Sequence, residues 1–176
     1  MRSIYPRRCI SETSADFGKT NETVTSATLS DEQQKIISNA DIFFIASRSA
    51  NLQKESAKDT NDRRNGLDVN HRGGPTGFVE LIDDQTLKIP DYKGNNYYNT
   101  FGNIYQHNRT GLQFYDFSTG DVLTLSGRGE IIVENTTPSG EESTDSNQKS
   151  TNRFFLFYIK EVRQTTSALP YTFTRL

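Results

Sequence analysis

Residues 109–134 read as two strands joined by one turn, and that hairpin does most to limit what the chain can become. Arg109 to Phe117 has extended character, Ser118-Thr119-Gly120-Asp121 has turn chemistry, and Val122 to Glu134 resumes as strand. In the second strand Leu123, Leu125 and Gly127 fall on one face and Val122, Thr124 and Ser126 on the other, the two-residue period of a pleated strand.

The remainder extends this pattern. Ile42-Phe43-Phe44-Ile45 is a short apolar run suited to a strand buried on both faces. Val69 to Ile82 reads as strand with a glycine-rich interruption, Asp83-Asp84-Gln85 as a turn, Thr86 to Pro90 as the return strand, and Phe154 to Val162 as the last strand. Two short helices interrupt the strands. Ser30, with Gln33 three residues on, has the capping-box pattern, and Asp31 and Glu32 suit the positive end of the helix, which Asn39 ends. Tyr98, Phe101, Ile104 and Tyr105 share one face of a second helix, with Asn95 or Asn96 as its N-cap. About six strands joined mainly by short turns, with so few helices, predict a mainly β protein: an antiparallel barrel, closed or half-closed, and not a doubly wound fold.

The 176 residues fit one domain. A hydrophobic fraction of 32% and a mean hydropathy of −0.72 are low for a packed globule. The shortfall lies in three polar stretches, which places a flexible arm at 1–29 and polar insertions at 49–66 and 135–152 in a barrel domain spanning 30–174. Net charge is −2 with both signs mixed along the chain, so no basic stripe marks a nucleic-acid surface and nothing invites an anionic membrane. No apolar run approaches the ~20 residues of a spanning helix. Cys9 is the single cysteine, which excludes an internal disulfide and a cysteine zinc site. The sequons at Asn21, Asn108 and Asn135 are read as chance matches, and the acids soon after the basic start favour a cytoplasmic over a mitochondrial location.

Candidate site residues concentrate between Asp68 and Arg128. Gly73-Gly74-Pro75-Thr76-Gly77 either brings backbone close to a ligand or forms a bulge or tight bend. Arg72 is a planar partner for phosphate or for an electron-rich ring edge. His71 either hydrogen-bonds a ligand or is a satisfied barrel histidine, and as strand neighbours the two point to opposite faces. Asn95, Asn96, Asn99, Thr100 and Asn103 surround a helix start, where free N–H groups and the dipole suit phosphate. Capping explains one asparagine, but not Asn99 and Asn103 inside a helix. With only His71 and His107, no Ser-His-Asp order or metal cluster is available, and a redox cofactor would carry the chemistry instead.

Several ordered strings resemble one family. They are Phe43-Phe44-Ile45-Ala46-Ser47, His71-Arg72-Gly73-Gly74-Pro75 with Gly77-Phe78-Val79, Leu87-Lys88-Ile89-Pro90-Asp91-Tyr92-Lys93-Gly94-Asn95, Asn99-Thr100-Phe101-Gly102-Asn103, and Gly120-Asp121-Val122-Leu123 with Gly127-Arg128. Over roughly residues 29–134 they resemble the pyridoxamine 5'-phosphate oxidase-like, flavin-binding split-barrel proteins. The resemblance implies a six-stranded antiparallel split barrel, a homodimer, and FMN at the dimer interface. It implies cofactor-binding roles for His71, Arg72, Gly73, Gly74, Pro90, Asp91, Asn95, Asn99, Thr100 and Asn103. It does not imply vitamin B6 oxidation. The oxidases carry an Arg-x-Val-Leu-Leu-Lys strand, and here Gly77-Phe78-Val79-Glu80-Leu81-Ile82 lacks both the Arg and the Lys.

The resulting expectation is an FMN-dependent oxidoreductase supplied by a nicotinamide or by a separate reductase. Two alternatives stand beside it: a flavin carrier or sensor without turnover, and a haem-binding or ligand-free relative of the barrel, in which His71 or His107 would have to ligate any haem.

Overall fold

A computed structural model describes residues 8–13, 21–49, 66–92, 99–134 and 152–175. Ten strands and two helices lie within them: β1 (Arg8–Thr13), β2 (Thr23–Ser26), α1 (Asp31–Asn39), β3 (Ile42–Arg48), β4 (Leu67–Gly73), β5 (Glu80–Leu81), β6 (Thr86–Pro90), α2 (Asn99–Gln106), β7 (Arg109–Asp116), β8 (Asp121–Val133), β9 (Arg153–Thr165) and β10 (Tyr171–Arg175).

The hairpin of residues 109–134 is the middle of an antiparallel sheet. β7 pairs with β8 from Arg109↔Arg128 to Asp116↔Asp121, and Gly120 takes the positive φ of 82° that its turn needs. Outward from it the order is β4-β3-β7-β8-β9-β6-β5, and β2 adds to β9, making eight strands among the described residues where about six were expected. The added strands include residues of the expected flexible arm. Thr23–Ser26 pairs with Val162–Thr165, and Arg8–Thr13 pairs with β10 in a separate two-stranded sheet. These strands are short and polar, so their pairing comes from backbone hydrogen bonds to β9 and β10 and leaves no hydrophobic signature in the sequence.

β3 alternates, with Phe43, Ile45 and Ser47 buried and Ala46 exposed, so it is not covered on both faces as its apolar run suggests. Its inner face joins Leu112 and Phe114 of β7, Leu123 and Leu125 of β8, Phe155 and Phe157 of β9, and Leu87 and Ile89 of β6 in one core. Phe43 stacks on Phe114 at 5.1 Å and on Phe78 at 5.9 Å between ring centroids. Each such buried side chain contributes roughly 1.5–3 kcal/mol.

Helix α1 has the expected reciprocal cap. Ser30 Oγ accepts from the Gln33 N–H and Gln33 Oε1 accepts from the Ser30 N–H. The segment after β4 is largely turn. Phe78 N–H donates to the Pro75 carbonyl, and Gly77 has φ of 84°. The stretch Gly77–Ile82, compared above with an oxidase strand, therefore holds only the two-residue strand Glu80–Leu81. Most of the insertions at 49–66 and 135–152 lies outside the described residues, apart from Ser49, Gly66 and Asn152 at their ends.

Candidate functional site at the seam of β4 and α2

Strand β4 ends the sheet path next to β3, and its two faces have different company. Asp68, Asn70 and Arg72 point inward, while Leu67, Val69 and His71 are exposed. The expected division of His71 and Arg72 between opposite faces is therefore present, with Arg72 only 7% exposed.

Helix α2 crosses the inward face and touches β3, β4 and β8. Thr100, fully buried, is the pin. Its hydroxyl accepts from Asn70 Nδ2 at 2.7 Å and donates to Asp68 Oδ2 at 2.9 Å, while Asn70 Nδ2 also reaches Asp68 Oδ2 at 2.7 Å. One turn on, Asn103 Nδ2 donates to Ser47 Oγ of β3 at 3.1 Å. These bonds explain poor helix formers in α2: Thr100 and Asn103 tie the helix to polar groups of β4 and β3. The Asp68 carboxylate beside the first turn also complements the helix dipole, at the place where the sequence suggested a phosphate.

Arg72 closes the other end of the seam. Its Nη1 donates to Asp91 Oδ1 at 3.0 Å, and its guanidinium lies 4.6 Å from the centre of the Phe101 ring. Arg153 Nε donates to the other oxygen of Asp91 at 2.6 Å and lies 5.7 Å from the same ring. Two guanidiniums thus share one carboxylate beside one aromatic ring. Pro90, the last residue of β6, pairs with Phe154 and positions Asp91, whose N–H donates to the Arg153 carbonyl.

The glycines before Phe78 have a local task. A Cβ on Gly74 would come within 2.6 Å of the Phe78 ring, so its missing side chain makes room for a core aromatic. Gly73 ends β4 opposite Ile42. Asn95 lies outside the described residues, as does the proposed N-cap, and Asn99 begins α2. Asp68, Ser47, Phe101 and Arg153 were not among the expected site residues. Asp68 was findable, because it shares the two-residue period of Asn70 and Arg72. Arg153 is distant in sequence, and its role follows only from the β6–β9 pairing.

His107 stands apart from this seam. Both its ring nitrogens face the Arg48 guanidinium, at 3.2 and 2.6 Å, an arrangement ill suited to an axial haem ligand. Burial first, and then Arg48 and Arg109, hold its pKa below the ordinary 6.5. Among the described residues no group of three or more His, Cys, Asp or Glu is placed to hold a metal ion, and no helix is long and apolar enough to cross a membrane.

No family model matches the sequence, and no curated protein matches it. Solved structures do match the fold. HupZ from Group A Streptococcus superposes with a TM-score of 0.51 at 13% identity, over 75% of this chain and 90% of that one. A putative pyridoxamine 5'-phosphate oxidase from Lactobacillus delbrueckii gives 0.50 at 16% identity, over 78% of this chain and 94% of that one. Likeness at these identities is likeness of fold, and the chain has the fold of the pyridoxamine 5'-phosphate oxidase-like split-barrel proteins.

Proposed function

We propose that this chain binds FMN along the seam of β4 and α2 and works as a flavin-dependent oxidoreductase, with a second copy of itself completing the site. The observation that carries this reading is convergence. Segments around Asn70–Gly73, Pro90–Asp91 and Asn99–Asn103, recognised separately in the sequence, meet through Asn70–Thr100, Arg72–Asp91 and Arg72–Phe101. FMN, when bound, supplies hydride or electron transfer.

The residues fit the cofactor in kind. Arg72 and Arg153 meet at the Asp91 carboxylate, and arginine is the residue type that suits a phosphate or a reduced ring, while Asn70 and Thr100 bring an amide and a hydroxyl to the start of α2. Because Arg72 is held by Asp91, its part is to set the local field rather than to reach out as a free donor. A homodimer has support in the outer face of β4 and β3. Leu67 and Val69 are 80% and 63% exposed, and cross-strand pairing puts them beside Arg48 and Ala46, with Phe44 next in the row. The electron donor is a nicotinamide or a separate reductase, and the location is cytoplasmic.

Titrating the protein with FMN and following the quenching of flavin fluorescence tests this, with sedimentation for the dimer. The expected result is saturable FMN binding by a dimer. Arg72→Ala and Asn70→Ala should each weaken it, with Arg128→Ala close to wild type. A monomer without FMN affinity would overturn the proposal. Reduction of the bound flavin by NADH or a reductase separates an oxidoreductase from a carrier or sensor.

A further inference from the structure

Where β8 passes between β7 and β9, three cations gather on one exposed face. Arg109 and Arg128 are direct cross-strand partners, an arrangement that costs stability because like charges oppose each other. Beside them β9 carries a bulge. Ser126 pairs with Glu161 but Gly127 pairs with Ile159, so Lys160 is the extra residue, and such bulges re-aim side chains. Among the described residues, none of Arg109, Arg128 and Lys160 forms an ion pair.

The three cations border open space. A cavity of about 420 Å³ is lined by Arg109, Arg128 and Lys160 over Gly111 and Gly127. A second, of about 700 Å³, shares Arg128 and Lys160 and continues to Tyr105 of α2 and Tyr158 of β9. Together they form a half-open groove of mixed polar and apolar lining. Tyr105 is 89% exposed although it sits on a helix that packs against the core. Tyr158 donates its hydroxyl at 3.2 Å to Glu130, the carboxylate among the described residues that line the groove.

We propose that this groove binds a mononucleotide-like ligand, its phosphate held by Arg109, Arg128 and Lys160 and its planar ring set against Tyr105 and Tyr158. Arginine offers a fork that matches phosphate oxygens, lysine adds a point charge, and tyrosine gives a face to any heteroaromatic ring. An anion between Arg109 and Arg128 would relieve their mutual repulsion. The groove touches α2 through Ile104 and Tyr105 but shares none of the side chains that meet β4 at the seam, so it is a second site whether or not the seam takes FMN.

The test is calorimetric titration at low salt with AMP, adenosine and inorganic phosphate, on the free protein and on protein saturated with FMN. AMP should bind saturably and adenosine should not, with inorganic phosphate weaker than AMP. The double variant Arg128→Ser/Lys160→Ser should lose about tenfold or more in AMP affinity, and Arg128→Lys/Lys160→Arg should retain most of it. Tyr105→Ser should weaken AMP but not phosphate. Unsaturable AMP binding, or affinity unchanged in the Arg128→Ser/Lys160→Ser protein, would overturn the proposal. Phosphate binding as tight as AMP would remove the ring half, and competition between AMP and FMN would make this the flavin's own site and overturn the second-site assignment.

Discussion

Asp91 accepts a 3.0 Å hydrogen bond from Arg72 where both side chains are nearly sealed from solvent, at 2% and 9% exposure, and its other oxygen is taken by Arg153. The carboxylate is therefore a partner that helps Arg72 lie buried over the Phe101 ring.

Asp91→Ala should destabilise the protein by about 3–5 kcal/mol, because it breaks a buried ion pair and removes the carboxylate that two guanidiniums share. Arg72→Met in the same background should recover much of that loss, since the two substitutions act on one contact. Urea unfolding of the two single variants and the double variant measures this. Additive losses would show that Asp91 stabilises the fold through Arg153 and not through Arg72.

Thr100→Val keeps the shape of the side chain and removes the hydroxyl that joins Asn70 to Asp68. A loss of about 0.5–1.5 kcal/mol is expected, the net worth of the hydroxyl's hydrogen bonds, since Asn70 and Asp68 keep their direct bond. Amide exchange in residues 99–106 should speed up more than exchange in β8. Equal acceleration throughout would mean that Thr100 does not specifically dock α2.

Gly127→Ala should be more damaging than an exposed sheet position suggests. A Cβ there would run into the Tyr158 carbonyl oxygen, a backbone atom that cannot turn aside, so the bulge must shift. The expected cost is about 1–3 kcal/mol by chemical unfolding. Gly102→Ala, on open helix surface, should be neutral or stabilising.

His107 should titrate below 6.5, as its burial and its Arg48 and Arg109 neighbours require. A base whose folded pKa is depressed binds fewer protons than in the unfolded chain, so its contribution to stability is complete above pH 6.5 and declines as pH falls toward the folded pKa. Proton NMR of the imidazole, assigned with His71→Gln, gives the midpoint. Arg48→Ala or Arg109→Ala should move it upward, and a midpoint unchanged in both would leave burial as the whole cause.

The hairpin of residues 109–134, the capped helix α1 and the mainly β class were legible because each rests on local chemistry: two-residue alternation, turn residues, and a reciprocal cap. The opposite directions of His71 and Arg72 followed from the same alternation. Residue type also marked Thr100 and Asn103 as unusual for a helix, and the structure joins them to Asn70, Asp68 and Ser47.

What the tertiary structure decided is which groups meet. Arg72 is 19 residues from Asp91, and Asp91 is 62 from Arg153, so no local pattern reports that two guanidiniums share this carboxylate. Strands β1 and β2 were invisible because their partners lie at the far end of the chain and their pairing uses backbone groups that every sequence possesses. The bulge at Lys160 belongs to the same class, since register is a relation between two strands, and only their pairing places Arg109, Arg128 and Lys160 around one groove.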